Sequence, residues 1–106
     1  MKDLTLLEEI VLTTIVRLEG NAYGVSIRFK VAELTGRDIL YGTLFNALEQ
    51  LLRKGLIAKT KGHPIAERGG RSRMYFQITK EGSLALAEAR RLHHLIWHGL
   101  SEPERG

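Results

Sequence analysis

The chain has 106 residues, 43% of them apolar and 26% charged, with a formal charge of +4 and no cysteine. That length supports one modest core and not two, the composition is that of a folded globular domain, and the missing thiols exclude a disulfide framework and thiolate metal sites. Asp3, Glu8, Glu9 and Arg17 interrupt the apolar opening segment; a signal-peptide core or a membrane span excludes such charges, so a cytoplasmic chain without membrane attachment is expected.

Leu4, Leu7, Ile10, Val11, Thr14, Ile15 and Leu18 recur at steps of three and four, which predicts a first helix ending at Gly20. Tyr23, Ile27, Val31 and Leu34 share one face of a second helix, closed by Thr35-Gly36. A third series, Leu44, Ala47, Leu48, Leu51 and Leu52, follows "RDILYG" and stops at Gly55. The apolar period then drops to two, and Leu56–Lys61 and Arg73–Ile78 read as strands joined by the polar, glycine-rich "GHPIAERGGRS". Alternation along the second strand sends one of Tyr75 and Phe76 inward and the other partly out. Thr79 offers an N-cap oxygen to a last helix beginning at Lys80 and running to about Trp97, within a C-terminal segment of 80–99.

Three helices, a hairpin and a final helix make a mainly α (α+β) single domain across 1–106, a winged helix-turn-helix with a two-stranded β-wing. The charge is placed accordingly. Seven cations lie between Arg53 and Arg73 against the single acid Glu67, a net +6 that leaves −2 for the rest of the chain. A basic segment on a slightly acidic body is the electrostatic footprint of a nucleic-acid binder, although a solvated basic loop has the same composition. Wing contacts to DNA are expected from Lys61, Arg68, Gly69, Gly70, Arg71 and Arg73, the glycines allowing close approach and the arginines supplying charge. On the third helix, Gly42, Thr43, Asn46, Glu49, Gln50 and Arg53 lie opposite the leucine face. Gly42 and Thr43 can present N–H groups to a phosphate, and Asn46 and Gln50 carry the amide fork that pairs with adenine. Arg53 suits a phosphate, and Glu49 a merely solvated position.

Three separated segments resemble the PadR-like transcriptional regulators, a winged-helix family: "AYGVSI" (22–27), "YGTLFNALEQLLRKGLI" (41–57) and "RGGRSRMYFQITKEG" (68–82). They are similar, in order, to the family's Tyr-Gly motif, its recognition helix, and its wing with the Thr-x-x-Gly start of the last helix. The resemblance adds Tyr23 to the DNA-binding set. Phe45 stands where the family usually has tyrosine, Asn46 where proline is common, and Met74, Phe76 and Gln77 replace a frequent basic residue, tyrosine and arginine.

Leu84, Ala85, Ala89, Leu92, Leu95, Ile96 and Trp97 spread around more of the last helix than one small core can cover. The resemblance implies a homodimer in which Leu84, Leu92, Leu95 and Ile96 meet Leu4, Leu7 and Val11 of a partner's first helix; the alternative is a helix folded back on its own domain. It also implies a small aromatic or cationic effector between subunits, with Trp97 and His94 as its lining. His94 and His98 are spaced for chelation but supply two ligands only, so no metal is expected. With no phosphate loop and no Ser-His-Asp set in a suitable context, neither catalysis nor a cofactor is expected. The alternative function is a winged-helix module that binds protein rather than DNA.

Overall fold

The computed structural model describes residues 3–62 and 73–100. The chain runs α1 (Leu6–Arg17), α2 (Gly24–Thr35), α3 (Tyr41–Arg53), β1 (Ile57–Lys61), β2 (Met74–Ile78) and α4 (Lys80–Trp97), which is the expected order.

Each helix begins and ends for a local reason. Thr5 and Glu8 close a reciprocal capping box on α1: the Glu8 N–H donates to Thr5 Oγ1 (3.1 Å) and the Thr5 N–H to Glu8 Oε1 (2.8 Å). At the start of α2, Ser26 Oγ accepts from the Tyr23 N–H (2.9 Å) and donates to the Asn21 carbonyl (2.7 Å). This holds Tyr23 extended as the N-cap, so Tyr23 lies outside the helix whose inner face it was expected to share. Gly36 closes α2 at φ 72°, its N–H donating to the Ala32 carbonyl.

Val11, Leu12 and Ile15 of α1, Ile27 and Val31 of α2, and Leu44, Ala47, Leu48 and Leu51 of α3 form the core with Leu56, Ile57, Phe76 and Ala85. Val11 is 0% exposed, which corrects its reading as an interface residue. The apolar face of α1 wraps far enough for its centre to be claimed by the chain's own core, while Leu4 and Leu7 stay half-buried at its edge.

The strands are antiparallel with Ile57 opposite Ile78, Lys59 opposite Phe76 and Lys61 opposite Met74. Phe76 points into the core and Tyr75 is half-buried, as the alternation requires. The Phe76 N–H donates to the Ala22 carbonyl (2.8 Å), joining the base of the hairpin to the start of α2.

The start of α4 is clamped to the turn between α3 and β1. Thr79 donates its N–H to the Leu56 carbonyl (3.0 Å) and its hydroxyl to the Gly55 carbonyl (2.8 Å), and Thr79 Oγ1 accepts from the Gly82 N–H (3.0 Å). The contact at Gly82 is so close that a Cβ there would lie 2.0 Å from the Leu56 carbonyl oxygen. Beyond Ala85 nothing in α4 is fully buried. The helix stops at Trp97, where His98 turns extended and Gly99 takes φ 81°.

Candidate nucleic-acid interface

The leucine face of α3 fixes the opposite face by elimination. With Leu44, Leu48 and Leu51 buried, Gly42, Thr43, Asn46, Glu49, Gln50 and Arg53 are all exposed. A 3.7 Å ion pair joins Arg53 to Glu49. The N-cap of α3 is Leu40, whose side chain makes no capping bond. The first N–H groups of α3 therefore keep no side-chain acceptor and point outward with the positive end of the helix dipole.

Two clamps set the pose of α3. At its N-terminus Arg28 bridges the turn from α2, with Nε donating to the Ile39 carbonyl (2.7 Å), a guanidinium nitrogen 3.0 Å from Asp38 Oδ2, and its Cζ 4.4 Å from the Tyr41 ring centre. At its C-terminus Lys54 Nζ lies 2.7 Å from Glu8 Oε1 and donates to the Asp3 carbonyl (3.0 Å). Glu8 is only 4% exposed. Burial raises its pKa, but the Lys54 ammonium and the Thr5 N–H and hydroxyl outweigh this and hold the carboxyl below the ordinary range. Sequence reading found neither clamp, because their partners lie 10, 11, 46 and 51 residues apart.

On the wing, Lys61 is exposed and Arg73 half-buried. Arg73 Cζ sits 4.3 Å from the Tyr23 ring centre, and Tyr23 meets Tyr75 edge-on at 5.6 Å. The Tyr-Gly motif thus carries a ring that props a wing arginine, a part distinct from contacting DNA itself. Arg68, Gly69, Gly70 and Arg71 lie outside the described residues.

Away from this face, Leu84, Leu92, Leu95, Ile96 and Trp97 of α4 are exposed. A cleft of about 280 Å³ between the start of α1 and the middle and C-terminal half of α4 is lined by Leu4, Glu9, Leu92, His93 and Ile96 among others, and His93 Nε2 lies 2.9 Å from Glu9 Oε1 across it. The His94 and His98 rings lie 5.2 Å apart. Among the described residues, no group of three or more histidines, cysteines or carboxylates comes together as a metal site. None of the described helices is long and apolar enough to cross a membrane.

The family profile described as "Transcriptional regulator PadR-like family" matches residues 11–88. Among solved structures, a PadR family transcriptional regulator from Eggerthella lenta is 27% identical with a TM-score of 0.69, the match covering 86% of this chain and 77% of that one. RosR of H. salinarum is 25% identical at TM-score 0.71, covering 94% and 83%. A PadR-like transcriptional regulator from Bacillus cereus superposes at TM-score 0.71 over 86% and 84% of the chains, and at 23% identity it speaks for the fold alone. No curated protein matches significantly. The family match spans the helix-turn-helix, both strands and the clamped start of α4: the chain belongs to the PadR-like family of transcriptional regulators.

Proposed function

We propose that the chain is a DNA-binding repressor that acts in the cytoplasm as a homodimer on an inverted-repeat operator. The observation that carries the DNA reading is the outer face of α3. An uncapped helix start at Gly42 and Thr43 leads into exposed Asn46, Gln50 and Arg53, while Lys61 and Arg73 supply charge from the strands. The open N–H groups take a phosphate, the amides read base edges, and the wing cations hold the flanking backbone.

Dimerisation is supported by the exposed apolar residues of α4 beside the α1 edge, which one chain leaves uncovered. Two recognition helices related by a two-fold axis then lie roughly 34–36 Å apart on one side of the duplex. Occupation of the operator blocks transcription. An aromatic or cationic effector beside Trp97 and His94, between subunits, would set the spacing of the two halves.

Selection of bound fragments from a random duplex library, with sedimentation of the free chain, tests this reading. An inverted repeat and a dimer at micromolar concentration are expected. Asn46→Ala or Gln50→Ala should cost roughly 1–3 kcal/mol on the selected site and little on random DNA. Recovery of no preferred sequence by a folded chain would favour the protein-binding module instead.

A further inference from the structure

α3 carries one acid, Glu49, which takes no part in the core or in either clamp. Its side chain is 70% exposed on the outward stripe of the helix, one turn after Asn46 and one turn before Arg53. The contact with Arg53 is an exposed i, i+4 pair at 3.7 Å, too long for a hydrogen bond and of little weight in stability. Beside this stripe a groove of about 790 Å³ opens between α3, the start of α2 and the strands, with Phe45 stacked on Tyr41 and with Lys59 and Arg73 in its lining. Glu49 lines it too.

In the complex proposed above, Arg53 and the cations of the strands hold phosphates on either side of Glu49. A carboxylate placed between them faces the same phosphates and weakens binding to any duplex. What it can add in return is narrow, because it only accepts hydrogen bonds. In the major groove guanine and thymine turn acceptors toward it and repel it, whereas cytosine and adenine each present an amino N–H. Adenine sets the N7 lone pair beside that N–H and so suits the amide forks of Asn46 and Gln50, which carry a donor for N7. Cytosine has only a C–H at the neighbouring position and suits a carboxylate. The 3.7 Å spacing leaves the Glu49 oxygens free of a hydrogen bond from Arg53, while the nearby positive charge lessens the repulsion that the carboxylate meets.

We propose that Glu49 is a specificity-determining residue: it accepts from the N4 amino group of one cytosine in each half-site and rejects guanine and thymine there, so that it lowers affinity for DNA at large while sharpening the choice of site. This rests on the DNA-binding reading above and narrows it from a helix face to a base pair.

The test selects fragments from a random duplex library with the full chain and with Glu49→Gln, which has the same shape and no charge. The native motif should hold a C·G pair that the variant's motif lacks, with the remaining positions shared. On a random duplex Glu49→Gln should bind roughly threefold to tenfold more tightly in low salt, because repulsion is lost and Arg53 is released, and the gain should shrink as salt rises. On the native site, thymine in place of that cytosine should weaken the native chain roughly tenfold and leave Glu49→Ala unaffected. N4-methylcytosine, which keeps the base pair and sets a methyl where the free N–H was, should act as thymine does. The side chain is exposed, so both variants keep the core. Identical motifs from the native chain and Glu49→Gln overturn the proposal, as do unchanged affinity for random DNA and the loss of a preference for any pair other than C·G. A folded native chain that selects no motif overturns the DNA reading and this assignment with it; a motif that survives Glu49→Gln overturns this assignment alone.

Discussion

The first turns of α1 and α4 are closed by the chain's own side chains, whereas the first turn of α3 is left open. Thr5 with Glu8, and Thr79, supply side-chain oxygens to N–H groups that a helix cannot satisfy internally. At the same position α3 has Leu40, 73% exposed and without a capping atom. The positive ends of α1 and α4 are met by internal side-chain oxygens; α2, whose N-cap Tyr23 makes no side-chain capping bond, and α3 lack them, and in the proposed complex the open start of α3 is the place for a phosphate. The difference separates stability from function along one chain and tells which substitutions should move which quantity.

The largest effect is expected at Gly82. Its Cβ would stand 2.0 Å from the Leu56 carbonyl oxygen and 2.8 Å from Ile78 Cγ1, and the first of these is backbone that cannot swing aside. Gly82→Ala should cost about 3 kcal/mol by overpacking, against the roughly 1 kcal/mol that alanine gains in an exposed helix interior. Urea unfolding measures it as a lower midpoint at unchanged slope. A neutral or stabilised variant would show that the clamp at the start of α4 is looser than its geometry.

Next come the caps. Thr79→Ala loses the bond from the Gly82 N–H and the one to Gly55, and Thr5→Ala loses half a capping box, so each should cost about 1 kcal/mol, with Thr79 the costlier. DNA affinity per folded molecule should stay unchanged in both. The box at Thr5 adds a dependence on acid. Glu8 has a folded pKa below its ordinary value of 4.5, so its contribution is complete above that value and disappears as pH falls through the folded one. The native chain should therefore lose stability on acidification more steeply than Glu8→Gln, whose unfolding midpoint will be lower near neutrality and less sensitive to acid.

Much of this contrast is legible in the sequence. Thr79 at the cap, the limits of α4 at Lys80 and Trp97, and the polar face of α3 all follow from side-chain chemistry at fixed helical or strand spacing. What escapes is whatever spacing leaves degenerate or long-range. Val11 shows the first kind: periodicity places it on an apolar face but does not say whether that face meets this chain or another. Tyr23 is of the same kind, because a hydroxyl three residues on holds it out of the helix that the pattern would extend over it. The Glu8–Lys54 and Arg28–Ile39 clamps are long-range, and so is the groove, whose walls come from four elements. Phe45 reads in the sequence only as a departure from the family's usual tyrosine; in the structure it is the ring that, stacked on Tyr41, lines the groove between α3 and the strands.

The smallest expected effect tests the open helix start most directly. Leu40 already has the extended backbone of an N-cap, φ −69° and ψ 147°, so Leu40→Ser places a hydroxyl where it can accept from the Gly42 or Thr43 N–H without moving the chain. Because Leu40 is exposed, little burial is lost, and stability should rise by about 0.5–1 kcal/mol. The same bond uses an N–H group that the proposed complex gives to a phosphate. Affinity for specific and random duplexes should fall together, by roughly threefold to tenfold, and the slope of log K against log salt should shrink by up to about 0.9, the share of one phosphate. Leu40→Ala, which removes the side chain without adding an acceptor, should leave the slope as it was. A serine variant that is more stable yet binds DNA with unchanged affinity and slope would mean that the bare start of α3 faces solvent in the complex, and that the difference between capped and uncapped helices in this molecule has no part in recognition.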